Sequence, residues 1–293
     1  MAKVISFQVP KSQKEFVRFQ EDRGKYFYDK LHQHPQLQLT LILEGKGQFL
    51  SGDYVGRFQP GDVFFLGENV PHVFRNDLEF FEPDTALCSI GNTVFFDLAT
   101  LGKAMGEVDE LQPLKKFQEY AGLCFQLVGQ SAETAKQVIS DFGKSEGLKR
   151  LQLAIQLLSI LDQADGELHQ LNETVLMRGL SERDGGRMNQ VMQFLLENRF
   201  QKITLDQAAS IANLSKEAFC RFFKLRTRKT FTQYVLQLRI NEAQKLLQET
   251  ELGIAEIAFQ VGFENLSYFN RSFKNLTGSA PRSFRENSQG LTD

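Results

Sequence analysis

The spacing of apolar and polar positions changes twice along the 293 residues. Near the amino terminus, Val4, Ile5, Phe7 and Val9 suggest one strand within an arm that ends at about Arg23. From Tyr26 to about Ile90 the pattern is short and alternating. Leu37, Leu39, Leu41 and Leu43 take every second position, as a half-buried strand does. Glu44-Gly45-Lys46-Gly47, Ser51-Gly52-Asp53 and Pro60-Gly61-Asp62 punctuate the region as turns, and Pro71-His72 opens a further strand. Strands at intervals of about ten residues predict an antiparallel sandwich or barrel. Phe64, Phe65, Phe74, Phe80 and Phe81 are its expected core, with one or two of them lining a pocket.

From Glu107 to Leu171 the period lengthens to that of helices. "LKKFQEYAGLCFQLV", "TAKQVISDFG" and "GLKRLQLAIQLLSILDQA" are each amphipathic. In the last, Leu148, Leu151, Ile155 and Leu158 form one apolar edge, and Ala154, Leu157 and Leu161 form a second. That stripe is wider than one neighbour requires. It fits either burial between barrel and linker or pairing with a twin helix in a homodimer. "NETVLMRGLSERDGG", residues 172–186, is polar, charged and closed by two glycines, so it is the expected interdomain linker.

The third pattern, Ile254 to Glu286, reads as two short helices around a tight turn. Ile254, Ile257, Ala258 and Val261 give the first an apolar face, and Gly262 tolerates the positive φ of the turn. In the second helix Leu266, Phe269, Phe273 and Leu276 are expected to face inward. Ser267, Asn270, Arg271 and Lys274 occupy the opposite face. An earlier copy runs from Leu205 to Lys224. At an offset of 49 residues Leu205, Ala208, Ala209 and Ala212 fall on the first apolar face, and Asn213 on Gly262. At an offset of 50, Phe219, Arg221, Phe223 and Lys224 match Phe269, Arg271, Phe273 and Lys274. Glu217, Cys220, Arg221 and Lys224 form its outward stripe, and Ser215 suits the helix N-cap. Between the copies, Thr230 to Glu249 predicts one uninterrupted helix of about twenty residues, about 30 Å long. That nearly matches the 34 Å between successive major-groove faces of duplex DNA.

"LRINEAQKLL", "IAEIAFQVGF", "YFNRSFKNLTG" and "GSAPRSFR" resemble the carboxyl-terminal signature of AraC/XylS-type transcription regulators over roughly Met188 to Glu286. The resemblance implies double-stranded DNA as a partner, held by two helix-turn-helix units and a long connecting helix. It implies base contacts for Glu217, Cys220 and Arg221 in the first unit and for Ser267, Asn270 and Arg271 in the second. Lys224 and Lys274 are implied phosphate contacts. One departure from the family pattern is Arg228 in "KLRTRKTF", where glycine is usual.

Upstream, "HQHPQLQLTLILEGKGQF" and "FQPGDVFFLGENVPHVFRN" resemble the two characteristic segments of a cupin. They supply His32, His34, Gln38 in the place of a glutamate, Pro60-Gly61-Asp62, His72 and Asn76. A cupin-like sensor ahead of the DNA-binding module is the arrangement the resemblance implies. His32, His34, Gln38 and His72 are then the expected contacts of a small organic effector. A metal at the same histidines and a purely structural role are the competing readings. Gln38 weakens the metal reading because an amide lacks the charge of a carboxylate. His169 is expected to be solvated.

Charge sharpens the division. From Ser181 onward 16 Lys and Arg face 12 Asp and Glu, giving +4; the preceding residues carry 18 against 24, giving −6. Phosphate neutralisation favours the basic part, though +4 is modest and the motif carries the argument. Cys88, Cys124 and Cys220 are far apart and odd in number, as free thiols of a reducing cytoplasm would be. No signal peptide and no membrane-spanning run is apparent.

The expectation is therefore an α+β chain of two domains. Residues 1–105 form a cupin-like ligand-sensing β-barrel, 106–171 a helical dimerisation and connector segment, 172–186 a linker, and 187–287 an all-α double helix-turn-helix domain. Its expected role is sequence-specific transcription regulation under a small-molecule effector, without enzymatic activity or cofactor. It is expected as a cytoplasmic homodimer, off the membrane, with RNA polymerase a further partner. The alternatives are a metal-dependent cupin enzyme with a DNA-binding appendage and a constitutive DNA binder with a structural barrel.

Overall fold

The computed structural model describes residues 5–6, 15–105, 108–173 and 182–289. The chain divides into two compact units whose boundary falls between Gly185 and Gly186.

In the amino-terminal unit the strands are β1 (Ile5–Ser6), β2 (Val17–Gly24), β3 (His32–Gln33), β4 (Leu37–Glu44), β5 (Gly47–Ser51), β6 (Tyr54–Phe58), β7 (Val63–Leu66), β8 (His72–Asn76), β9 (Ser89–Phe96), β10 (Cys124–Leu127) and β11 (Leu168–Gln170). Its helices are α1 (Leu98–Met105), α2 (Lys116–Glu119), α3 (Gly129–Phe142) and α4 (Gly147–Gln163). Two sheets result, ordered β1-β3-β8-β5-β6 and β11-β10-β7-β4-β9-β2. Of the residues expected to form an amino-terminal strand, Ile5 lies in β1, whereas Val4, Phe7 and Val9 lie outside the described residues.

The alternation of β4 holds through Leu41, with both faces covered as far as Ile42. Leu43, expected to continue it, is 39% exposed where the register shifts between Ile42 and Glu44. Leu37, Leu39 and Leu41 pack outward with Val63, Phe65, Val94 and Phe96 against α3 and α4. The other face turns inward: Ile42, Phe64 and Leu66 meet Phe49, Phe58 and Phe74 of the second sheet. Phe65 therefore belongs to the sheet–helix layer rather than the barrel interior. Phe81, expected in the core, stacks on Tyr26 with ring centroids 4.4 Å apart and lies under the Arg75 guanidinium.

The segment expected to be helical is corrected at two places. Cys124–Leu127 is a strand paired antiparallel with β7, and Leu168–Gln170 pairs with it in turn. The short helix α2 is capped by Tyr120, Gly122 at φ 78° stands in the turn that follows, and Cys124, Phe125 and Leu127 then pair with the edge of β7. Pairing satisfies backbone groups that an amphipathic helix would have satisfied internally. In α4 the buried edge is Leu153, Ala154, Leu157, Leu158 and Leu161, whereas Leu148 and Ile155 are exposed by 84% and 46%. His169 is exposed.

The ends of the expected linker are also ordered. Asn172 is buried; its amide oxygen accepts from the Cys124 N–H at 2.7 Å, and its amide nitrogen donates to the Gly122 carbonyl at 2.9 Å. At the far end Glu182–Gly186 already belongs to helix α5 (Glu182–Asn198), with Gly185 and Gly186 buried. The residues between Glu173 and Glu182 lie outside the described set.

The carboxyl-terminal unit continues with α6 (Leu205–Ile211), α7 (Lys216–Thr227), α8 (Phe231–Glu249), α9 (Ile254–Gln260), α10 (Leu266–Thr277) and α11 (Pro281–Gln289). Asn213 and Gly262 hold the two turns at φ 52° and 91°. The Ser215 hydroxyl accepts from the Ala218 N–H, capping α7, and Asn265 caps α10 in the same way. Phe219, Phe223, Phe269 and Phe273 are fully buried. The duplication reaches further than the two motifs. Thr227 donates to the carbonyls of Phe223 and Lys229, and Thr277 donates to those of Phe273 and Ser279. Tyr234 and Phe284, again 50 apart, each stand edge-on to the second phenylalanine of their unit. Leu276 was expected inward but is 42% exposed; Ser272 is buried beside Phe273 instead.

Candidate functional sites in the barrel and on the paired helices

All eight residues expected at DNA are exposed: Glu217, Cys220, Arg221 and Lys224 on α7, and Ser267, Asn270, Arg271 and Lys274 on α10. Each stripe lies opposite its unit's buried phenylalanines, so the helical period separates packing from recognition. Ser215 and Asn265 start the two helices at equivalent points, which places Arg221 and Arg271 at matched positions. The Arg271 guanidinium lies 5.7 Å from the Tyr268 ring centroid, which restricts where it points. Arg228 adopts φ 54° and caps α7 by donating its N–H to the Lys224 carbonyl. Gly278 does the same for α10 at φ 80°. The turn after α7 keeps its left-handed geometry despite the arginine.

In the barrel the histidines converge. His32 and His72 are direct cross-strand partners on β3 and β8, with ring centroids 4.3 Å apart. His34 lies 5.3 Å from His72, ring to ring. One ring nitrogen from each of the three lies within 4.8 Å of the others. Each Nδ1 is spoken for by a main-chain carbonyl: His32 with Lys30 at 2.9 Å, His34 with Gln36 at 3.0 Å, His72 with Val70 at 2.9 Å. A carbonyl only accepts, so each Nδ1 carries a proton and a neutral ring keeps its lone pair on Nε2.

Burial disfavours the protonated form of all three rings. Burial brings His32 down to about 4 and pushes His34 below its ordinary value. It drives His72 well below, and the repulsion that protonation of His32 or His34 would bring adds to the effect. The His72 Nε2 is buried and has no hydrogen-bond partner. His34 Nε2 meets the Gln38 side-chain amide at 2.7 Å. From Gln38 a chain of contacts runs to Thr40 at 2.8 Å and on to Thr93 at 3.0 Å. The Gln38 atom facing His34 Nε2 is Oε1, while Gln38 Nε2 donates to Thr40. A lone pair on His34 Nε2 requires the carboxamide flipped, so that its N–H donates to His34 and its oxygen accepts from the Thr40 hydroxyl.

His32, Gln38 and His72 line a cavity of about 70 Å³. His34 does not line it but stands behind Gln38. The opposite wall comes from β2 and β9: Gln20, Asp22, Thr93 and Phe95, with Phe27, Tyr28 and Phe74 adding aromatic faces. Burial raises the Asp22 carboxyl, and the Gln20 amide donating to it at 2.6 Å partly offsets this. Among the described residues, no lysine or arginine lines the cavity. The β2 and β9 residues were absent from the sequence reading. Their signal was the alternation of Gln20 and Asp22 with Phe19, which looks like a solvated strand face unless the barrel interior is known to be polar.

Two other cupin-motif residues have structural duties. Asn76 accepts from the Phe27 N–H at 2.8 Å and donates to the Ser89 hydroxyl at 2.7 Å. Asp62 accepts from the Gln59 N–H and the Gln126 amide, closing the turn in which Gly61 stands at φ 91°.

The donor set suits a metal in part. A cation equidistant from three nitrogens at most 4.8 Å apart and near the centre of their triangle would lie no more than about 2.8 Å from each, at most about 0.7 Å beyond a zinc–imidazole bond. Modest closure of the rings would meet it. Nδ1–H donation to carbonyls is the support that metal-bound imidazoles usually have. The missing element is a carboxylate, since Gln38 is neutral.

A polar-lumened barrel and a doubled helix-turn-helix with exposed basic stripes define a ligand-responsive DNA-binding regulator. The comparisons with known proteins agree. The AraC-like ligand binding domain matches residues 14–81, and a helix-turn-helix domain matches residues 208–287. An HTH-type transcriptional regulator of Bacillus subtilis, YdeC, is 25% identical over 270 residues, 88% of this chain and 87% of that protein. The Msm operon regulatory protein of Streptococcus mutans is 25% identical, covering 92% and 90%. The transcriptional activator RhaS of Mannheimia succiniciproducens is 27% identical, covering 87% and 88%. The chain belongs to the AraC-type family of transcription regulators.

Proposed function

We propose that Arg221 and Arg271 read bases in two successive major-groove segments, assisted by Glu217, Cys220, Ser267 and Asn270, while Lys224 and Lys274 bind phosphate. The observation that carries this reading is the matched exposure of both stripes above buried phenylalanine pairs. Replacing Arg271 by alanine lowers affinity for a selected site by about 1–3 kcal/mol and relaxes preference at one base position. Replacing Lys274 weakens all sequences alike and flattens the salt dependence. Unchanged site preference in the arginine variant would remove α10 from the groove.

The effector occupies the barrel cavity, in contact with His32, Gln38 and His72 and supported by His34. Among the described residues the lining has one carboxyl and no cation, which favours a neutral or cationic molecule rich in hydrogen-bond donors, because unprotonated imidazoles and carboxamide oxygens accept. Effector binding biases DNA affinity only as far as it distinguishes two arrangements of the chain. The regulator acts without catalysis, as a homodimer that uses the exposed Leu148–Ile155 edge of α4, and contacts RNA polymerase. His72→Ala should abolish the response to a metabolite extract while leaving basal DNA affinity intact.

The orphaned, buried Nε2 of His72 favours a second reading, in which a divalent zinc-like ion sits among the three imidazoles. Elemental analysis and a cobalt(II) absorption titration decide it. A stoichiometric ion lost in His72→Ala supports the metal, and an absent ion leaves the organic effector alone in the cavity.

A further inference from the structure

Beside the recognition stripe of α10 the carboxyl-terminal unit has a cleft of about 710 Å³ that no recognition role explains. Its floor holds Arg239, whose guanidinium donates to the carbonyls of Arg199 at 3.0 Å, Gln201 at 2.7 Å and Gly262 at 2.8 Å. Carbonyl dipoles satisfy its N–H groups without cancelling its charge. At the rim Lys202 is 82% exposed and its Nζ lies 3.8 Å from a Glu264 oxygen, a loose pair in water. Arg271 completes a cationic set of three against the single carboxylate of Glu264. The walls are apolar, and they include Phe259, 58% exposed, and Tyr268, 43% exposed.

We propose that this cleft seats the sugar–phosphate backbone of the same duplex that α10 reads. Two features select this occupant. Ser267 and Arg271 belong both to the cleft wall and to the recognition stripe, so a duplex lying on α10 must cover the cleft. A phosphodiester chain is anionic at its oxygens and apolar at its deoxyribose carbons, and the cleft pairs cations with exposed aromatic rings. Lys202 then exchanges Glu264 for a phosphate. Glu264 acts as a gate that lowers affinity for any sequence. An acidic peptide meets the same charges, but it would have to displace the duplex from α10.

The proposal rests on the DNA reading of α10, and the test separates the two. A duplex selected by the wild-type chain from a random pool is titrated with full-length protein across a salt series. Lys202→Ala lowers the slope of log affinity against log salt by about 0.9, the value of one phosphate contact. Glu264→Gln raises affinity for selected and scrambled duplexes by the same factor, and Lys202→Ala combined with Glu264→Gln loses that gain. Both side chains are more than four-fifths exposed, so the folded chain tolerates the changes. If Lys274→Ala flattens the slope while Lys202→Ala does not, the cleft is not a backbone seat and the reading of α10 stands. If the wild-type chain retains no duplex, both fall.

Discussion

Acid should unfasten the barrel through its histidines. A ring whose folded pKa lies below its unfolded value binds its proton more tightly once the chain unfolds. Such a group contributes its full stability above the unfolded value of 6.5 and loses it as the pH falls through 6.5 toward the folded value. For His32, held at about 4, the interval is about 2.5 units, or about 3 kcal/mol at 1.36 kcal/mol per unit. His34 and His72 are lowered by burial and act in the same direction. Against a domain stability of about 5–15 kcal/mol this is a large fraction. Asp22, raised by its own burial on the facing wall, works the other way, because acid stabilises its folded form. The assay is urea unfolding of the full chain, with chelator present, at about pH 7 and about pH 4.5, for wild type and His32→Gln. The unfolding free energy of the wild type should drop by at least 2 kcal/mol more than that of the variant. Equal drops in the two proteins would show that His32 titrates as a solvated ring and would refute the neutral cluster.

Other expectations concern single sites. Arg228→Gly should stabilise the carboxyl-terminal unit by about 0.5–1 kcal/mol, because a left-handed arginine carries backbone strain that glycine relieves. Gly278→Ala should destabilise it by a similar amount, with open space around the new methyl excluding a steric cause; thermal melts of both variants check this. Phe273→Ala should cost about 3–5 kcal/mol in urea unfolding, whereas Leu276→Ala should change stability by less than about 0.5 kcal/mol, as their burial requires. Leu148→Ser combined with Ile155→Ser should shift the sedimentation coefficient to that of a monomer without changing the circular dichroism spectrum.

The carboxyl-terminal unit was legible because its signals are local. Turn residues, caps and apolar spacings lie within one helical hairpin, and the second copy checks the first. Ser215, Asn213 and Gly262 perform in the structure the tasks their chemistry suggests. The barrel was legible in class but not in detail. Cys124–Leu127 looks helical within its own neighbourhood and becomes a strand only because β7, some sixty residues earlier, offers an unpaired edge. Leu276 obeys the spacing of Phe269 and Phe273, yet the helix turns it past the edge of the core. The barrel cavity was half visible. The histidines stand out by type, but Gln20, Asp22 and Thr93 reach the cavity by the register of β2 on β9 on β4, which no local pattern contains. Polar alternation that usually marks a solvated face here marks a lumen.

In the proposed DNA complex, two matched helices of one chain read two neighbouring turns of the same duplex face. Chemical protection of guanine N7 on a selected fragment tests it most directly, with wild type, Arg221→Ala and Arg271→Ala compared. Two protected major-groove patches per bound chain, about 10 base pairs apart, are expected. Arg221→Ala erases one of them and Arg271→Ala the other. A single patch, or the loss of both patches with either substitution, would contradict it.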